Sequence, residues 1–146
     1  MSTVDLLAAE FGTFPELIRA HAAERAEAEA VIDGDVRLSF GDYDALGDRI
    51  AAALQRDGLA QGEAVAACGV NSWPYAALWL GVLRAGCVVA PLTQSSTPDA
   101  LAMMVADCGA RVVFADRAIA ATLELPASVA VIPLDDGAAF GAWLAP

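Results

Sequence analysis

The sequence predicts an α/β fold in which helices cover both faces of a mostly parallel sheet. Short apolar runs that are typical of buried strands alternate with segments of helical periodicity from residue 63 onward. The segment that begins at Trp73 is apolar nearly all round, which indicates a helix buried on most of its faces. No linker or repeat interrupts this alternation, so residues 1–146 are expected to form a single domain.

Each predicted element is bounded by residues that favour its start or its end. Thr13 and Ser39 each stand three residues before an acidic side chain, which is the spacing of a capping box. Gly58 and Gly109 follow helical segments, where glycine favours the left-handed conformation that ends a helix. The predicted elements are, in order, a helix from 13 to about 27, a short N-terminal hairpin of strands 30–32 and 36–40, a helix from 39 to 58, strand 63–68, helix 73–84, strand 87–90, helix 97–108, strand 111–115, helix 117–123, strand 129–134 and a last helical piece ending near 144.

Apolar periodicity predicts which side of each helix is buried. The residues expected to face the core are Tyr43, Leu46, Ile50 and Ala53 in the helix after Ser39, and Leu101, Met104, Val105 and Cys108 in the helix after Thr97. His21, the only histidine, falls on the same side as Leu17. It is therefore predicted to pack against a neighbouring helix.

The chain is acidic and more apolar than most domains of its size. Its net charge is -11, and all eight of its basic residues are arginine. Nucleic-acid binding requires clustered cations, so no nucleic-acid partner is expected, and an anionic membrane surface would repel the chain. Hydrophobic residues make up 58% of the sequence. Either the chain buries an unusually large share of itself, or it exposes an apolar surface, through which it contacts the rest of a larger protein or forms a homo-oligomer; the second explanation suits a fragment.

No targeting segment or membrane span is predicted. The N-terminus lacks the basic region that precedes the apolar core of a signal peptide. Residues 75–92 are apolar apart from Arg84, but Gly86 and Pro91 break the helical pattern there. A helical span needs about 20 largely uncharged residues. A buried helix followed by a buried strand explains this segment better.

The three cysteines are predicted to be free thiols. Cys68, Cys87 and Cys108 are far apart in the sequence, odd in number and placed in apolar runs. With one histidine in the chain, they do not have the number or spacing of zinc ligands. A reducing cytoplasm is the expected location.

No catalytic, cofactor-binding or metal-binding residue is assigned from the sequence. Residues 68–72 join a strand to a helix, a geometry that can hold an anion at the helix N-terminus. Both glycine-rich phosphate fingerprints are absent, so Asn71 or Ser72 is predicted to act as an ordinary helix cap. A single histidine and the absence of a Gly-x-Ser-x-Gly segment leave no hydrolytic triad.

Two pairs of carboxylates fall in turns rather than in a catalytic arrangement. Asp33 and Asp35 flank Gly34 between the two hairpin strands, and Asp135 and Asp136 precede Gly137. Aspartate is favoured at such positions because it accepts hydrogen bonds from nearby backbone amides. Both pairs are therefore predicted to stabilise their own turns.

Two segments resemble the first part of the adenylate-forming enzymes, the superfamily of acyl- and aryl-CoA synthetases, luciferases and peptide-synthetase adenylation domains. Residues 38–43, Leu-Ser-Phe-Gly-Asp-Tyr, are similar to the first core motif, Leu-Thr/Ser-Tyr-x-Glu-Leu, with Phe40, Asp42 and Tyr43 as departures. Residues 83–92, Leu-Arg-Ala-Gly-Cys-Val-Val-Ala-Pro-Leu, are similar to the second, Leu-Lys/Arg-Ala-Gly-x-x-x-x-Pro-Leu/Ile. Both motifs are structural in that family.

The resemblance covers roughly residues 13–136 and implies the N-terminal subdomain of such an enzyme. The family also has an asparagine after the strand between the two motifs, as Asn71 stands here, and residues 92–98 look more like the stand-alone bacterial CoA ligases than the luciferases. The phosphate-binding loop, which ends in Pro-Lys-Gly, would be expected shortly after Pro146. The catalytic lysine has no counterpart, because the chain contains no lysine.

The resemblance implies a fragment of an ATP-dependent acyl- or aryl-CoA synthetase of bacterial fatty or aromatic acid metabolism. The parent enzyme would use ATP, Mg and CoA to convert a carboxylic acid into a thioester through an acyl-adenylate. The fragment is expected to contribute no catalytic residue and to be inactive alone, with the rest of the parent enzyme as its partner. The alternative is a naturally short, non-catalytic module for binding or assembly.

Overall fold

The structure, a computed structural model, describes residues 1–146 as two sheets and seven helices. One sheet is the antiparallel pair β1 (Glu29–Asp33) and β2 (Val36–Ser39), and the other is parallel, with the strand order β4-β3-β5-β6. The parallel strands are β3 (Ala64–Cys68), β4 (Val88–Pro91), β5 (Val112–Ala115) and β6 (Ala130–Pro133). The helices are α1 (Thr3–Ala8), α2 (Phe14–Arg25), α3 (Phe40–Arg56), α4 (Trp73–Arg84), α5 (Pro98–Cys108), α6 (Arg117–Ala120) and α7 (Gly137–Leu144).

The parallel sheet is covered on both faces, as the sequence predicts. Val65 and Ala67 of β3 and Phe114 of β5 pack on one face with residues of α3, α4 and α7. Ala66 and Cys68 pack on the opposite face with residues of α5. Because successive strand residues point to opposite faces, one short apolar strand contributes to both cores. None of the seven helices combines the length and the apolar character that crossing a membrane requires.

Arg84 joins the three helices that cover one face. Its guanidinium donates to Oδ1 of Asp44 at 2.6 Å and to Oδ1 of Asp48 at 3.0 Å, both on α3. It also donates to the carbonyl oxygens of Asp44 and of Pro15 in α2. The side chain of Arg84 is only 11% exposed, so this arginine of the second motif is a structural centre of the helical layer.

Both edge strands of the parallel sheet end in a proline that faces away from the sheet. The amides of Val88 and Leu92 donate to the carbonyl oxygens of Glu63, just before β3, and of Ala67 in β3. Because successive residues of a strand alternate in direction, the nitrogen of Pro91 points away from β3. In the same way Leu134 donates to β5, which turns Pro133 outward. Proline has no N–H to offer a further strand, so each edge is partly protected against pairing with another chain.

Helix α1 is the one element that the sequence interpretation missed. Ser2 and Asp5 form a reciprocal capping box, and the amide of Thr3 donates to Oε1 of Glu24 at 2.7 Å. The hydroxyl of Thr3 lies 3.3 Å from Nδ1 of His21. Six residues are too few for periodicity to reveal a helix, although the Ser2–Asp5 spacing is itself a capping signal.

Two further expectations are corrected in detail. Leu101 and Val105 of α5 are buried, but Met104, which was predicted to share their face, is 39% exposed. Helix α5 packs mainly on the sheet, so its buried stripe is narrower than the periodicity suggests. Helix α6 ends at Ala120 instead of residue 123 and continues as a turn.

Candidate functional site

The candidate site is the carboxyl end of the parallel sheet between β3 and β5. The chain leaves β3 through α4 to reach β4 on one side, and leaves β5 through α6 to reach β6 on the other. Adjacent strands whose connections diverge in this way open a crevice, and open α/β sheets bind ligands in such crevices. The loops that follow β3 and β5 therefore form the place where a ligand site would be expected.

The side chain of Asp116, directly after β5, lies across the loop that follows β3. Its Oδ2 accepts a hydrogen bond from the amide of Val70 at 2.8 Å. A Cβ atom on Gly69 would lie 2.7 Å from its Oδ1, so any side chain there would force this carboxylate to move. From the loop after β4, the amide group of Gln94 donates to the carbonyl oxygen of Gly69. The crevice between the strands is thus bridged by the chain's own side chains.

The N-terminus of α4, which faces this crevice, is also capped from within the chain. Ser72 is its N-cap, and its hydroxyl accepts from the amide of Tyr75. Oδ2 of Asp33, from the hairpin, accepts from the amide of Trp73 at 3.0 Å. Of the two residues that the sequence offered as caps, Ser72 acts and Asn71 is exposed. An incoming anion would have to displace an aspartate from these amides.

The carboxylate pairs behave differently from one another. Asp136 caps α7 by accepting from the amides of Ala138 and Ala139, which is the local role that the sequence predicts. Asp135 instead accepts from the amide of Arg117 at the start of α6. Oδ2 of Asp33 accepts a hydrogen bond from the amide of Trp73, 40 residues away in the sequence. The local turn role predicted for Asp33 is therefore wrong for this oxygen.

Titratable groups around the crevice do not form a nucleophilic site. Cys68 ends β3 and is buried, and burial, followed by the nearby carboxylate of Asp116, raises the pKa of its thiol. A raised pKa keeps the thiol protonated and unreactive near neutral pH. His21 belongs to α2 and not to the loops of the crevice, and the centroid of its ring lies 4.8 Å from that of Phe40. The structure brings together no group of three histidine, cysteine, aspartate or glutamate side chains that a metal ion could bind.

The residues of the crevice do not fit a triphosphate. The amides of Val70 and Trp73 already donate to carboxylates, and those carboxylates would repel phosphate oxygens. The nearest arginine after β5, Arg117, is paired with Asp135, and the chain has no lysine. We therefore derive no chemical step at this crevice.

A comparison with protein families agrees with this architecture. The profile described as AMP-binding enzyme matches residues 18–143. The chain belongs to the AMP-binding enzyme family. Among its relatives is 4-coumarate–CoA ligase 5 of Oryza sativa subsp. japonica, which is 36% identical over 118 residues, 80% of this chain and 22% of the ligase.

Solved structures of AMP-binding enzymes have the same fold. The N-terminal domain of FACL13 from Mycobacterium tuberculosis superposes with a TM-score of 0.81 at 22% identity, covering 92% of this chain and 36% of that one. The nonribosomal peptide synthetase FmoA3 superposes with a TM-score of 0.76 at 27% identity, covering 84% and 13%. The chain spans less than a third of the length of the curated relatives it matches. The FACL13 structure whose fold it shares is itself an N-terminal domain.

The departures from the first family motif each have a structural explanation in this member of the AMP-binding enzyme family. Asp42 replaces glutamate but still completes the capping box with Ser39. The ring of Phe40 packs under the guanidinium of Arg25, whose Cζ lies 4.6 Å from the ring centroid. Tyr43 is buried, and its hydroxyl donates to the carbonyl oxygen of Ala76 in α4 at 3.0 Å. The motif keeps its role of starting α3 and holding it against the neighbouring helix.

Proposed function

We propose that this chain is the N-terminal scaffold of an ATP-dependent carboxylate–CoA ligase. Such an enzyme joins a carboxylate to ATP with release of pyrophosphate, and then transfers the acyl group from AMP to the thiol of CoA. The 36% identity to a plant CoA ligase supports the choice of CoA as acceptor. Relatives that are nonribosomal peptide synthetases make a carrier-protein thiol the competing acceptor. A bacterial cytoplasm and fatty or aromatic acids are the proposed setting.

One observation carries the scaffold role within this proposal. The backbone amides at the junction of β3 and α4 donate to Asp33, Ser72 and Asp116 of the same chain. Electrostatic stabilisation of phosphoryl chemistry needs donors that are free to face the charge that develops. Donors that are already satisfied position the loop and the helix instead. The activating groups would then come from chain segments beyond residue 146.

The first experiment measures ATP–pyrophosphate exchange by the 146-residue chain with 4-coumarate, benzoate and decanoate as separate substrates. We expect no exchange above a boiled-protein blank, because the chain has no lysine and the amides of Val70 and Trp73 already donate to carboxylates. Exchange that depends on added carboxylate would contradict the scaffold proposal. A purified CoA ligase of the same family, assayed in parallel, shows that the substrates and the detection work.

The second experiment reads the gene beyond codon 146. A Ser/Thr/Gly-rich segment ending in Pro-Lys-Gly soon after that codon supports the ligase proposal. The extended protein can then be given ATP, a carboxylate and either CoA or a phosphopantetheinyl carrier protein. An acyl-CoA product supports CoA as the acceptor, whereas transfer only to the carrier protein contradicts it.

The alternative is a short binding or assembly module, and one observation favours it. Large apolar side chains are exposed on several parts of the surface, including Phe11 at 83% and Met103 at 73%. A stop codon at position 147 would support this module and contradict the fragment.

A further inference from the structure

Helix α1 and the segment after it expose apolar side chains, whereas an ordinary surface helix buries its apolar side chains and exposes its polar ones. The residue that α1 buries is the polar Thr3, whereas Val4 is 74% exposed and Leu7 is 70% exposed. Phe11, three residues beyond the helix, is 83% exposed, and Phe14 at the start of α2 is 44% exposed. We call Val4, Leu7, Phe11 and Phe14 the N-terminal apolar patch. Leu7 and Phe14 line the same groove, and clustered exposed apolar side chains of this kind mark an interaction site.

Polar contacts fix α1 in this orientation. The amide of Thr3 donates to Oε1 of Glu24 at 2.7 Å, and the hydroxyl of Thr3 contacts the His21 ring. Both partners lie on α2, so the polar side of α1 is attached to the domain and the side with Val4 and Leu7 faces solvent. The patch is therefore held on the surface by specific contacts.

The patch contains both a protruding side chain and a groove. Leu6, Leu7, Phe14 and Leu17 supply the apolar part of a groove of about 300 Å³ between α1 and α2. Phe11 lies in the short segment that connects these two helices and is next in sequence to Gly12, which lines the groove. A surface that carries a projecting apolar group and an apolar recess is complementary to a copy of itself related by a two-fold axis.

We propose that the N-terminal apolar patch is a two-fold interface between two copies of this chain, in which Phe11 of each copy enters the groove of the other. The four patch residues expose roughly 500 Å² per copy, hence roughly 1,000 Å² in a dimer, which is the lower size limit of a specific interface. The association is accordingly weak, with a Kd on the order of 10–100 µM.

Charge argues for a second copy over a lipid surface. Asp5, Glu10 and Glu16 belong to the same segment of the chain, from α1 to the first turn of α2, and each copy has a net charge of -11. Anionic headgroups would repel this surface. Two copies also repel each other through their net charge, but salt screens that repulsion and leaves the apolar contact intact. The dimer is therefore expected to become tighter as the salt concentration rises, opposite to an interface held by ion pairs.

Sedimentation equilibrium of the 146-residue chain tests the proposal, from about 5 µM to about 500 µM so that the expected Kd is bracketed. We expect a monomer–dimer equilibrium that stops at the dimer, and a lower Kd at about 500 mM than at about 50 mM NaCl. A chain that stays monomeric throughout would overturn the proposal. If the chain stays monomeric and co-sediments with phosphatidylcholine vesicles, the patch binds lipid, and the dimer proposal is overturned as well.

Phe11→Ala and Met103→Ala form a matched pair, since both remove a large exposed side chain and Met103 lies on α5 outside the patch. We expect Phe11→Ala to raise the Kd at least about tenfold and Met103→Ala to leave it unchanged. Equal effects of the two substitutions would refute the assignment to the patch.

Leu17→Ala, in the groove, tests the contact itself. In a double-mutant cycle, Phe11→Ala and Leu17→Ala should be non-additive in Kd, because each removes the same contact between copies. Additive effects would contradict insertion of Phe11 into the groove. Unchanged circular dichroism and thermal unfolding of the dilute variants shows that the monomer fold is preserved.

Discussion

Gly81 of α4 lies directly against Ile50 of α3, with no room for a side chain between them. A Cβ atom at Gly81 would come within 2.3 Å of Cγ2 and 2.4 Å of Cβ of Ile50, which is fully buried. The same contact is repeated from the other helix, where a Cβ at Gly47 would lie 2.7 Å from Cδ2 of Leu80. Two glycines thus set the close approach of α3, which the first family motif begins, to α4, which leads into the second.

Gly81→Ala should destabilise the protein by about 3 kcal/mol, because the helices would have to separate to admit the methyl group. Gly141→Ala in α7 is the matched control, since a Cβ there meets nothing within 4 Å. It should be neutral or stabilising by up to about 1 kcal/mol through helix propensity. Urea unfolding measures both. Equal stabilities of the two variants would contradict the close helix contact.

Arg84→Met should destabilise the protein by about 3–5 kcal/mol, because it leaves the nearly buried carboxylate of Asp44 without its closest partner. The control is Arg37→Ala, which removes a 3.3 Å ion pair with Glu29 between two well-exposed side chains. That change should be within about 1 kcal/mol of the wild type. If Arg84→Met lowered the free energy of unfolding no more than Arg37→Ala does, the structural role assigned to Arg84 would be contradicted.

Gly69→Ala should be destabilising in the wild-type background and tolerated when Asp116 is also alanine. The atoms that a Cβ at Gly69 would meet most closely all belong to the Asp116 carboxyl group. Asp116→Ala alone should cost about 0.5–1.5 kcal/mol, because the exposed amide of Val70 exchanges its carboxylate acceptor for water. Chemical unfolding of the two single variants and the double variant measures their coupling. Strictly additive losses would show that the carboxylate does not lie over Gly69.

Tyr43 should make the protein less stable at high pH. Burial raises the pKa of Tyr43 to about 12, against a smaller opposing effect of Arg84. The raised pKa means that the native state favours the neutral phenol. The contribution of this neutral phenol to the free energy of unfolding is fully present below pH 10, where unfolded tyrosine begins to ionise. It is lost as the pH rises towards 12. The loss amounts to about 2–3 kcal/mol.

The variant Tyr43→Phe isolates this contribution. Near neutral pH it should be about 1 kcal/mol less stable than the wild type, because the hydrogen bond to the Ala76 carbonyl is lost. Between pH 10 and pH 12 the wild type should lose this advantage and fall below the variant. Urea unfolding at a series of pH values gives the difference, and a difference that does not change with pH would contradict the raised pKa.

Much of the fold could be predicted because its signals are local. The capping boxes that begin with Thr13 and Ser39 are present as predicted, and Gly58 and Gly109 both adopt positive φ at helix ends. Each of these signals operates within about one turn of helix, so neighbouring letters of the sequence contain it. The six-residue α1 was missed because such a helix depends on tertiary contacts, here those of Thr3 with α2.

The candidate site could not be predicted in the same way, because its contacts join distant parts of the chain. Asp33 and the amide of Trp73 are 40 residues apart, and Asp116 and the amide of Val70 are 46 apart. Nothing in the spacing of an isolated aspartate reveals which strand will lie beside it. Asp116 and Gln94 were therefore not recognised as residues that close the crevice.

The sequence by itself determined the α/β class, the order of the strands and helices after residue 12, and the resemblance to adenylate-forming enzymes, since periodicity, caps and motifs are local properties. Only the tertiary structure decided which oxygens satisfy the amides at the candidate site and which apolar residues face solvent. Both depend on how strands β3 to β6 are ordered and on how α1 is attached to α2. Those relationships arise when the chain folds, because they place groups side by side that the sequence keeps far apart.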